Sequence, residues 1–192
     1  MEENVEVSKG ELKRERAEGA VRRKRRNTAI AAIAALLVIG GAVYGGVSYS
    51  RWRAAHLPGR PFEDQGREHV GTGHQHVYNS NPPVSGWHFP QPAEWGVYKE
   101  ELPDEVLIHN LEHGGIWISY KPDISEDLRA KLEKFYEIYG RKIIVTPRAK
   151  NDSDVVLAAW TRLDTFSAAE YSDERIKRFV KAFRNKGPEF VP

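Results

Sequence analysis

The chain has no cysteine, and its single methionine is Met1. The first absence removes disulfides, thiolate nucleophiles and iron–sulfur ligation. The second leaves the body of the protein without a thioether donor. Any metal held beyond the N-terminus must therefore use nitrogen and oxygen ligands, which disfavours Cu(I). A surplus of charge is lacking too. Residues 1–27 hold nine Lys/Arg against six Asp/Glu, residues 28–50 hold none, and residues 51–192 hold twenty against twenty-one. A near-neutral segment from 51 onward argues against nucleic acid as a partner. No internal repeat is evident.

The uncharged stretch is the first strong signal. Thr28 to Ser50 carries no charge and is largely apolar, and at ~1.5 Å per residue it is long enough for a hydrocarbon core of ~30 Å. Tyr44, Tyr49 and Trp52 lie toward its far end, where aromatic rings favour the membrane–water interface. Arg22 to Arg26 is a basic cluster at the near end, while only Arg51 and Arg53 stand close on the other side. The positive-inside rule then puts the N-terminus in the cytoplasm. A cleaved signal peptide would have a shorter apolar region and a small-x-small cleavage site, which this run offers only poorly. The expected organisation is a cytoplasmic basic tail over 1–27, a transmembrane helix over 28–50, a linker over 51–65 and an extracytoplasmic domain over 66–192. The tail, polar and of mixed sign, is expected to be disordered or only loosely helical.

Residues 66–103 are dense in Gly, Pro, Asn and His and cannot sustain long helices or central strands. Their aromatic content (Tyr78, Trp87, Phe89, Trp95, Tyr98) argues that they are packed. Regular signals begin after 104. Glu105–His109 and Ile116–Tyr120 read as neighbouring strands across His113-Gly114-Gly115. Ser125 caps a helix carrying Leu128, Leu132, Phe135 and Tyr139, which Gly140 ends. Lys142–Thr146 and Val155–Thr161 read as strands, with Trp117 and Trp160 in the core. Ser172 opens a last helix with Ile176, Phe179, Val180 and Phe183 on one face. The fold class predicted is α+β: one transmembrane helix, then a small β-β-α-β-β-α domain of about four strands with both helices on one side. The His/Pro/Gly-rich loop region would wrap an edge or the open face.

Chemistry concentrates in the histidines. His109-Asn-Leu-Glu112-His113 formally matches the H-x-x-E-H pattern of inverted zincins, which needs a helix to set both imidazoles on one face. A run that reads as strand and meets Gly114-Gly115 at once does not supply one, so the peptidase reading is set aside. A looser metal reading survives: His69, His88, His109 and His113 as ligands, with Glu112 as a ligand or a partner of one. These suit Zn²⁺ or Cu²⁺, and His74 with His76 is a further candidate pair. Against this stands a structural reading, in which the imidazoles hydrogen-bond carbonyls left unpaired by a Gly/Pro-rich loop. The protein would then be a non-catalytic envelope module facing a protein or polymer partner. A metal-free hydrolase is a third reading, and Ser85 is its only hydroxyl in a promising turn.

At these residues the chain resembles a bacterial membrane-anchored family defined by a domain of unknown function. The likeness runs from about His69 to Pro188. It rests on His69-Val-x-x-Gly73, Tyr78-x-x-x-Pro82-Pro83-x-Ser85-Gly86-x-His88, Gly96-x-Tyr98, His109-Asn-Leu-Glu112-His113-Gly114 and Pro188-Glu189. The resemblance implies that His69, His88, His109, Glu112 and His113 form the shared set. His74 and His76 fall where the family pattern asks for no histidine. Val84 and Trp87 replace its more usual Thr and Pro. The resemblance sharpens the site and supplies no activity.

Overall fold

The computed structural model of the protein describes residues 9–189 and 191. The chain divides into two compact units, one up to His56 and one from Leu57. The first is a single helix, α1 (Lys9–Ala55), of 47 residues and therefore ~70 Å. Among the described residues it is the one helix long and apolar enough to cross a membrane. Leu36, Leu37, Val38 and Ile39 are all exposed on it. The charged segment expected to be loose is helical from Lys9, since Lys, Arg, Glu and Ala are strong helix formers. Residues 1–8 of that tail lie outside the described residues. The expected linker is also partly ordered: α1 continues through Ala55, and Arg60–Pro61 pairs into the sheet of the second unit.

The second unit is built from β1 (Arg60–Pro61), β2 (Gly96–Val97), α2 (Asp104–Glu112), β3 (Ile116–Tyr120), α3 (Glu126–Tyr139), β4 (Ile143–Pro147), β5 (Val155–Ala159), β6 (Arg162–Phe166) and α4 (Asp173–Phe183). It is an α+β fold around a mixed six-stranded sheet of order β1-β6-β5-β3-β4-β2. β2, β4 and β3 run parallel to their neighbours in that group, and β5, β6 and β1 add antiparallel pairs. Strand alternation sorts the core into two layers. Ile116, Ile118, Tyr120, Ile143, Val145 and Leu157 pack against Leu132 and Phe135 of α3 and Ile176, Phe179 and Val180 of α4. Trp117, Ile144, Val156 and Ala158 face the other way, against Leu107 and Leu111 of α2 and Val84 of the loop region. Covered on both faces, β3, β4 and β5 are buried at every position.

The expected β-β-α-β-β-α order, with about four strands and both helices on one side, gives way to six strands, β6 among those not expected, and a third helix on the opposite face. Two expected elements also differ in themselves. Glu105–His109 is not a strand but the body of α2. Val106-Leu-Ile108 is β-rich in composition, yet Leu107 and Leu111 recur at i,i+4 and both are fully buried against the sheet. Asp104 and Glu105 fill the first turn, where carboxylates complement the helix dipole. The strand expected over Val155–Thr161 stops at Ala159, and Trp160 and Thr161 form a two-residue turn into β6. Thr161 has a φ of 58° there, so Trp160 belongs to a hairpin tip and is only partly buried. α3 follows its expected caps: Ser125 accepts from the Leu128 amide at 3.2 Å, and Gly140 closes the helix with a φ of 61°.

Candidate metal centre

α2 carries the centre on its last turn. Its end is a Schellman motif, in which the Gly114 amide donates to Leu111 and the Gly115 amide to Asn110, at 2.9 and 2.8 Å. Gly114 takes a φ of 75°, which a side chain would resist. Helical spacing sets His109, Glu112 and His113 on neighbouring positions of one face. The helix that the H-x-x-E-H pattern requires is thus present, contrary to the strand expectation. Glu112 nevertheless points inward, with its side chain only 4% exposed and bonded to His88. It is not a free base facing a substrate.

The start of the helix is fixed as firmly. Arg148 makes a two-pronged ion pair with Asp104, at 2.8 Å for both contacts. Asn110 clamps the loop by accepting from the Ala93 amide at 2.9 Å and donating to the Ala93 carbonyl at 2.8 Å.

His69 and His88 arrive from the loop region. They form an isolated parallel bridge: the Val70 amide donates to His88 at 2.8 Å, and the His88 amide donates to Glu68 at 3.0 Å. The His69 ring stacks on His109, with centroids 4.9 Å apart and planes within 8°. His88 meets both rings edge-on, at 4.9 and 5.1 Å. One donor atom from each of His69, His88, His109 and Glu112 lies within 4.8 Å of every other.

The hydrogen bonds decide which nitrogens are available. His88 Nδ1 donates to the Gly86 carbonyl at 2.7 Å, and His109 Nδ1 to the Phe89 carbonyl at 2.8 Å. A carbonyl only accepts, so the network assigns a proton to Nδ1 in both rings; Nε2 is then a lone pair in the neutral ring and a second N–H donor in the imidazolium. Each Nε2 then faces another acceptor: His88 meets Glu112 Oε2 at 2.9 Å, and His109 meets His113 Nε2 at 3.0 Å. The His113 tautomer can satisfy the second contact. The first needs an extra proton or a cation. Burial holds the His109 imidazole below its usual value, reinforced by His113 and His88 and opposed by the Phe89 carbonyl and Glu112. The neutral ring is the form that ligates a metal.

The donor set fits a divalent ion. Four ligands at ~2.0–2.1 Å in a tetrahedron stand ~3.3 Å apart. The observed 2.9 Å from His88 and 3.6 Å from His69 to Glu112 Oε2 bracket that spacing. Backbone carbonyls on Nδ1 are the usual supports that orient a ligating imidazole. His88 is fully buried, whereas the His69 side chain is 45% exposed and forms the accessible rim.

Of the five residues expected in the site, His69, His88, His109 and Glu112 converge. His113 stands beside them and forms a second group with Glu112 and Glu189. His74 and His76 are elsewhere, packed on Trp87 with ring centroids at 6.4 and 5.2 Å. Ser85 is fully buried, away from any substrate, and its hydroxyl accepts from the Gln65 amide at 3.0 Å. Two residues were missed by sequence reasoning. Arg67 approaches Glu112 Oε1 at 3.7 Å, and Glu189 approaches His113 Nε2 at 3.4 Å. Glu189 had a signal, the Pro188-Glu189 pair within the family pattern. Arg67, one of many charged residues, had none.

Comparison with known proteins bears on the same residues. No curated protein and no solved structure matches the chain. Residues 69–191 match a family model described as Protein of unknown function (DUF3105). The match spans more than half of the chain and includes every residue of the centre except Arg67. The chain belongs to the DUF3105 family.

Proposed function

We propose that the protein is a single-pass, membrane-anchored domain that holds a divalent metal, Zn²⁺ or Cu²⁺, for metal handling or sensing outside the cytoplasm. His69, His88, His109 and Glu112 are its ligands. The observation that carries this reading is the pair of buried imidazoles whose Nδ1 atoms are tied to carbonyls while their Nε2 atoms turn toward the same small space. Four protein donors fill a tetrahedron, as in sites that hold a metal, whereas catalytic zinc sites keep a position open. The exposed His69 is the ligand best placed to let an ion in or out.

The test uses the full chain, purified in detergent. Elemental analysis is expected to find bound zinc or copper, and calorimetry of the stripped protein to find Zn²⁺ binding tighter than micromolar. No stoichiometric metal and no such binding would leave the interaction-module reading in its place.

The membrane placement rests on α1 and its flanks: Arg22 to Arg26 on one side of an uncharged run, and two arginines on the other. Protease added to intact spheroplasts is expected to degrade the region from Leu57 onward and spare an N-terminal tag. Protection of that region would overturn the orientation.

A further inference from the structure

The second ligand group, Glu112, His113 and Glu189, is not required by the four-ligand site. Glu189 reaches it on a C-terminal strap laid across the end of α2. The Asn185 amide donates to Gly114 at 2.8 Å, and the Glu189 amide donates to Glu112 at 3.1 Å. Lys142 Nζ ties the two segments together, donating to the His113 carbonyl at 2.6 Å and the Val191 carbonyl at 2.7 Å. Contact is so close at Gly187 that an added Cβ would clash with the Glu112 carbonyl oxygen. The strap is therefore pinned on both sides of Glu189, and its carboxylate is delivered to His113 by design of the backbone.

We infer that this group is a second divalent-metal position, sharing Glu112 with the first as a bridging carboxylate. Three features favour a cation there. Two carboxylates flank one imidazole, with donor atoms within 4.8 Å of one another. The negative end of the α2 dipole points at the same place. Glu189 is half-exposed, which gives the position its own access to solvent. One nitrogen and two oxygen donors make a harder site than its neighbour, suited to Zn²⁺, Mn²⁺ or Fe²⁺. With three protein ligands it keeps a coordination position for water or an oxygen-donor anion, which the four-ligand site does not. The competing occupant is a proton, making His113 the partner of Glu189 in a plain ion pair.

The inference rests on the metal reading above, and zinc stoichiometry separates the two. The full chain in detergent, stripped and reloaded with Zn²⁺, is expected to bind two ions. Glu189→Gln, at a half-exposed position, is expected to retain one ion and to weaken the other by at least ~10- to 100-fold. One ion in the wild type, unchanged by Glu189→Gln, would overturn the second position and leave the first. Two ions in both proteins would remove Glu189 from the centre. No ion in the wild type would overturn both readings.

Discussion

Replacing His88 with alanine is expected to abolish tight metal binding and to destabilise the metal-free domain by about 3–5 kcal/mol. His88 is fully buried, and its Nε2 is the nearest partner of Glu112, whose side chain is only 4% exposed. Removing the imidazole leaves a carboxylate buried with only the half-exposed Arg67, at 3.7 Å, and His69, at 3.6 Å, to face it. An uncompensated buried charge is among the few single changes that cost so much. The Gly86 carbonyl also loses its donor. A shift of the urea midpoint at constant slope would measure the loss. The double variant His88→Ala with Glu112→Gln should recover part of it, because the two residues are directly coupled. A loss below 1 kcal/mol with zinc still bound would exclude His88 as a ligand.

Stripping the metal should lower the thermal midpoint of the second unit by ~10–15 °C. A ligand that binds only the folded state at a thousand times its Kd adds about 4.1 kcal/mol. For a unit of this size each kcal/mol moves the midpoint by ~3–4 °C. The ligands come from two separate stretches, the loop at 69–88 and α2 at 109–112, so the ion adds a cross-link to segments that otherwise meet through the packing of Val84 with Leu107 and Leu111 and through hydrogen bonds and ion pairs. Melting followed by circular dichroism with and without chelator measures the difference. Identical midpoints, with the same result after zinc is restored, would show that no ion contributes to the fold.

Much of the architecture could be read from the chain. Ser125 and Gly140 bracket α3 because a hydroxyl and a glycine meet specific needs at helix ends, and those needs are local. β3, β4 and β5 are continuous apolar runs because they are covered on both faces. The α2 segment misled for the complementary reason. Val106, Leu107 and Ile108 form a short apolar run, and periodicity over so few residues does not separate a strand from a buried helical turn. The decisive facts were tertiary: the sheet face that takes Leu107 and Leu111, and the Ala93 backbone that takes Asn110. That error hid the reason for the His109 and His113 spacing. β6 was hidden as well, since Arg162, Asp164 and Thr165 dilute its apolar content and it earns its place by pairing with β5.

The site itself was legible as composition and spacing, down to the union of His88 from the Pro-Pro loop with the histidines after 106. What spacing could not give was the direction of each imidazole. Gly86 and Phe89 fix that through their carbonyls, and a carbonyl leaves no mark in a sequence. Glu189 was marked only by the Pro188-Glu189 pair, and its approach to His113 depends on how closely Gly187 lets the strap pack on α2.

The central claim is that the Nε2 atoms of His69, His88 and His109 and a Glu112 oxygen surround one metal ion. X-ray absorption at the metal edge, on full chain loaded with one equivalent of Zn²⁺, tests it directly. The expected spectrum shows nitrogen and oxygen neighbours alone at ~2.0–2.1 Å, with the outer-shell scattering of several imidazoles. That imidazole signal should fall in His88→Ala. A spectrum of hydrated zinc, without imidazole scattering and unchanged by that substitution, would contradict the account.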